Sequence, residues 1–147
     1  MKFVTIGTKH MLAIGTLLVF ASLATAANND RVKVVYHVSE GLEQASNALR
    51  NIRNHLSVDP TVKIAVVAHA AGINFLLDGA KDKNGNPYDA IVQGLVSQGV
   101  DFRVCNFTLR SRNIGKSKVL PEATIVPSGV AEIAKLQAKE DYVYLRP

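Results

Sequence analysis

The sequence predicts an α/β protein with a mostly parallel central sheet of about five strands and helices on both sides, in three α/β/α layers. Two observations predict it. Short runs rich in β-branched residues alternate with segments whose apolar residues recur at three- and four-residue steps. The run TVKIAVVA at residues 61–68 is apolar almost without a break, as expected of a strand covered on both faces. The chain has one cysteine, Cys105, so no internal disulfide can form and packing must hold the domain together.

The elements follow in order. Lys2 and Lys9 precede an apolar stretch at residues 11–23, and Ala24-Thr25-Ala26 supplies small residues at a cleavage site. Residues 1–26 therefore read as a secretory signal peptide, too short to span a bilayer, and residues 27–147 as a single domain. Residues 31–37 (RVKVVYH) read as the first strand. Ser39 is placed to cap a helix whose inner stripe is Leu42, Ala45, Leu49, Ile52 and Leu56, ended by Asp59-Pro60. Residues 61–68 form the second strand. A short helix or turn is expected at 72–77, and a polar turn at 81–87. A second amphipathic helix follows at 89–97 through Ile91, Val92, Leu95 and Val96, stopped by Gly99. Strands at 100–105 and 123–126 come next. Ser128 caps a last helix with Val130, Ile133, Ala134 and Leu136 expected inward, and residues 142–145 close as a strand.

The full chain carries 17 basic and 12 acidic side chains. The cations form no long stripe interleaved with aromatics, which argues against nucleic acid as a partner. No glycine-rich phosphate or dinucleotide loop, serine elbow or H-E-x-x-H is present, and no cofactor is implied. Asp82, Asn84, Asn86 and Asp89 alternate like calcium ligands. Pro87 stands where such a loop needs glycine, so an ordinary turn is the better reading. Asn106-Phe107-Thr108 is a lone glycosylation sequon, a weak signal.

In open α/β sheets, ligands bind beyond the carboxyl ends of the strands. His37, His69 and Cys105 follow the first, second and third strands and should share one edge. His55, late in the first helix, is assigned no role. At its ordinary pKa of about 8.5, roughly 3% of a thiol is ionised at neutral pH, so an attacking cysteine needs a lowered value. Arg110, Arg112, Lys116 and Lys118, or backbone N–H groups after the strand, can supply it.

The segment from Gly99 to Leu109 has the pattern G-V-x-F-x-x-C-x-x-T-L, and Val126-Pro127-Ser128-Gly129-Val130 reads V-P-S-G-V. With A-V-V-A-H at 65–69 and the closing run from Leu136-Gln137 through Pro147, these motifs resemble, in order, the DsrE/DsrF-like sulfur-relay family in its exported branch. The resemblance implies a three-layer α/β/α domain that assembles into homo-oligomers, often trimers or hexamers. It implies that Cys105 carries sulfur as a persulfide and passes it to a partner thiol, with Thr108 as a hydrogen-bond partner. His69 is then a candidate base or orienting group, and Arg110 and Arg112 candidates for holding anionic sulfur. The chain departs from the family's cytoplasmic relay members in its leader, which predicts a periplasmic or secreted protein with no membrane association after cleavage. The glycine the family places after His69 is also displaced here to Gly72. Two other readings stand beside this one. His37, His69 and Cys105 would make a nitrogen–sulfur set for zinc or copper. An oligomeric interaction protein with an inert cysteine is the other.

Overall fold

The computed structural model describes residues 31–147 and Met1. The expected leader, apart from Met1, lies outside the described residues. Five strands form one sheet: β1 (Lys33–Val38), β2 (Lys63–Ala68), β3 (Asp101–Cys105), β4 (Ala123–Val126) and β5 (Val143–Leu145). Their order is β4-β3-β2-β1-β5 and every pairing is parallel. The helices are α1 (Leu42–Val58), α2 (Tyr88–Val96), α3 (Asn106–Ser111) and α4 (Gly129–Glu140). Among the described residues no helix is long and apolar enough to cross a membrane.

The strand order explains where the helices lie. From β1 to β4 the chain steps across the sheet in one direction, and right-handed crossovers keep their helices on one face. The connection from β4 to β5 returns to the far edge, so the same handedness carries α4 over the opposite face. Alternation along the strands then sorts the side chains. Val34, Tyr36, Val38, Ile64, Val66, Phe102 and Val104 join Leu49, Ile52, Phe75 and Leu95 in the larger core. Val35, Ala65 and Val67 meet Ile133, Leu136 and Tyr142 of the return connection in a smaller one.

Several local expectations are corrected. Ser39 does not cap α1: Gly41, at φ 103°, is the cap residue and makes no side-chain bond. Gln44, in the first turn, reaches back instead, its Oε1 accepting from the backbone N–H groups of Ser39 and Glu40 at 2.7 and 2.8 Å. The expected helix at 72–77 is a 3-10 segment, Ala70–Leu76. α3 was not foreseen, because six residues are too few to show a periodicity. Ser128 does cap α4, accepting from Ala131 N–H. Of the residues expected inward on α4, Ile133 and Leu136 are buried, whereas Val130 is 62% exposed and Ala134 also faces out. One helix alone on a narrow sheet buries a thin stripe. The carboxylate of Asp82 accepts from the N–H groups of Asn84 and Asn86 and from the Asn86 amide, closing the expected polar turn.

Candidate active site

All strands being parallel, their carboxyl ends lie along one edge of the sheet. His37 is in β1, His69 directly follows β2 and Cys105 ends β3, paired in register with Val126 of β4. By alternation all three belong to the face that carries α4. Pro127-Ser128-Gly129 turns the chain from β4 into α4 over this edge.

Cys105 also begins α3, as its cap residue. The sulfur therefore stands where the starts of two helices meet. Burial raises its pKa, Cys105 being 4% exposed. The backbone N–H of Gly129, the hydroxyl and N–H of Thr108 and the N–H of Phe107 oppose that burial and together hold the thiol below its ordinary value. No side-chain cap bond closes from Cys105 onto α3, so these groups act on the sulfur as nearby dipoles rather than through one short bond. The Thr108 hydroxyl oxygen accepts the N–H of Ala70 at 3.0 Å, which leaves its own proton free to point at the sulfur.

Among the described residues no cation takes part. Arg112 donates to Ala70 O at 3.2 Å and to Asn74 Oδ1 at 2.8 Å, strapping the turn after β2, and Arg110 is exposed on the last turn of α3. Of the two sources foreseen for a lowered thiol, the peptide N–H groups act on Cys105 and the arginines do not.

The histidines meet each other instead of the sulfur. His37 Nε2 and His69 Nε2 are 2.6 Å apart, and His37 Nδ1 lies 2.6 Å from Tyr144 Oη. Burial holds both imidazoles below their ordinary value; for His37 the neighbouring His69 and Arg146 push the same way and Glu40 opposes. Neutral rings carry one N–H each, so one nitrogen of the facing pair donates and the other accepts. A Cβ placed at Gly129 would meet His69 Cβ at 3.0 Å, Cys105 Cβ at 3.2 Å and His69 Cδ2 at 3.5 Å. The edge of His69 turned toward α4 is thus carbon, and among the described residues no hydrogen bond joins His69 to Cys105. The metal set of His37, His69 and Cys105 does not assemble either. Among the described residues no group of three or more His, Cys, Asp or Glu is arranged to hold a metal ion.

Ala70 stands where the resemblance expects glycine, and its φ is 49°, in the left-handed region that Cβ disfavours. Tyr144 and the contact made by Gly129 were missed in the sequence. A glycine as first residue of a helix, directly after its serine cap, was the available signal for the second, because glycine forms helices poorly.

The family model of the DsrE/DsrF-like family matches residues 1–145. A solved protein of unknown function from Methanobacterium thermoautotrophicum, MTH1491, is 32% identical, with a TM-score of 0.69 over 79% of this chain and 99% of that one. The ychN protein from E. coli is 18% identical, with a TM-score of 0.63 over 80% of this chain and 98% of that one, a likeness of fold alone. No curated protein matches the chain. With a family model spanning nearly its whole length, the chain belongs to the DsrE/DsrF-like family.

Proposed function

We propose that the protein is a sulfur carrier in which Cys105 holds sulfane sulfur as a persulfide and delivers it to the thiol of a partner. The observation that carries this reading is the seat of Cys105 at the start of α3 with the first residue of α4 packed directly against it, a setting that holds the thiol below its ordinary value. The family membership is consistent with a sulfur-relay role. In the first step the Cys105 thiolate attacks the outer sulfur of a donor persulfide. A bond forms between the two sulfurs, the donor's S–S bond breaks, and the donor leaves as a thiolate. In the second step a partner thiolate attacks the outer sulfur on Cys105 and regenerates the Cys105 thiolate. Neither step needs an oxidant or a second cysteine in this chain. Phe107, 60% exposed, and Val130 stand on the first turns of α3 and α4 beside the thiol, which supports docking of a protein donor or acceptor.

The leader read in residues 1–26 supports export to the periplasm or beyond, and the exposed apolar residues of β5 and α4 support a homo-oligomer, the resemblance implying a trimer or hexamer. The test of the carrier role is intact mass after incubation with a small persulfide. Wild type gains one sulfur atom and Cys105→Ser gains none. An unmodified wild type after exposure to small and protein donors alike overturns the reading.

A further inference from the structure

We propose that Gly129 is the positioning residue of the thiol site: its missing side chain lets the first turn of α4 sit directly on Cys105 and His69. This rests on Cys105 being the reactive sulfur and adds the element that makes it so. The gap between α4 and the two strand ends is tighter than a methyl group ordinarily meets. Any Cβ at this position meets the Cβ atoms of both His69 and Cys105 at 3.0 and 3.2 Å. Those two atoms are tied to the ends of hydrogen-bonded strands, so they cannot swing aside as the tip of a long side chain would. The helix has to move, by a few tenths of an ångström, and it carries the Gly129 N–H away from the sulfur.

Among the described residues α4 is the one helix on this face, and the small core of Ile133 and Leu136 beneath it sets its height above the sheet. Gly129 at the leading end permits the close approach that the core alone does not dictate. Glycine is a poorer helix former than alanine, so helix propensity does not select it here. Ser128, the residue before, already provides the cap, so glycine is not needed for capping. Steric clearance over Cys105 and His69 is what remains to explain it.

The test separates positioning from stability. In Gly129→Ala the gain in helix propensity offsets the crowding, so thermal stability stays close to wild type. The pH midpoint for alkylation by a small reagent rises by about half a unit to one unit, leaving roughly three to ten times less thiolate at neutral pH. A folded Gly129→Ala whose alkylation midpoint equals that of wild type overturns the proposal. If the variant fails to fold, the wild type decides it by nuclear magnetic resonance. The amide proton of Gly129 must then shift with the ionisation of Cys105, and stay still over the same range in Cys105→Ser; a Gly129 amide indifferent to the thiol overturns the proposal. Alkylation and amide shifts require no persulfide, so a protein that never accepts sulfur refutes the carrier role without touching this result.

Discussion

One face of the sheet carries α1, α2 and α3 over a core that runs from Val34 to Leu120, whereas the other carries α4 alone over Val35, Ala65 and Val67. On the first face the strand positions are filled by large apolar side chains such as Phe102, wholly buried beside Phe75. On the second, the positions of β3 are Asp101, Arg103 and Cys105, and Arg103 pairs with Asp101 and with Glu132 of α4. The difference teaches where stability and chemistry are kept. A face thick in apolar contacts tolerates no polar group without loss, so the reactive and titrating side chains gather on the face closed by one helix.

Five experiments break or sharpen that contrast. Phe102→Ala should cost about 3–5 kcal/mol in denaturant unfolding, as for an aromatic removed from a close-packed core. Leu136→Ala, on the thinner face, should fall at the lower end of the leucine range, about 2 kcal/mol, because a lone helix settles into the space more easily. Equal losses from the two would erase the contrast. Glu132→Ala leaves the half-buried Arg103 with Asp101 alone and should cost about 1.5–3 kcal/mol, the range for a hydrogen bond to a charged group. A variant as stable as wild type would mean that α4 is held by its apolar stripe alone.

Ala70→Gly should stabilise the fold by up to about 1 kcal/mol, since relief of the left-handed strain exceeds the entropy that glycine loses on folding. A destabilised variant would show that Ala70 is held there at no strain. The smallest effect is the pH dependence of the histidine pair. The unfolded chain takes up protons on His37 and His69 near 6.5, whereas the folded chain does so only at lower pH. The unfolded state therefore binds more protons within that window, and stability falls as pH drops through it, the loss being complete once both folded rings are charged. Melting temperatures between pH 7 and pH 4 should decline, and the decline should be shallower in His69→Asn. An unchanged slope in that variant would assign the acid sensitivity elsewhere.

Much of this architecture was legible in the chain. The unbroken apolar run of β2 and the three- and four-residue steps of α1 are local signals, and α/β alternation allows few arrangements of them. That His37, His69 and Cys105 share an edge followed from their places at strand ends. Less was legible at the site. Arg110 and Arg112 are near Cys105 in sequence, yet Arg112 turns to Ala70 and Asn74. Val130 has the spacing of a core residue and faces solvent. α3 is a single turn and a half, below the length at which a pattern emerges.

The chain by itself determined the order of strands and helices, the single thiol and the edge on which it stands, because all of these depend on periodicity and connection along the backbone. Which groups act on that thiol was decided by tertiary structure. Gly129 reaches Cys105 because the return from β4 lays α4 across the far face, and His69 turns to His37 because β1 and β2 are neighbours. Contacts of that kind join residues distant along the chain, and their ångström-scale spacing is set by packing that no local pattern encodes.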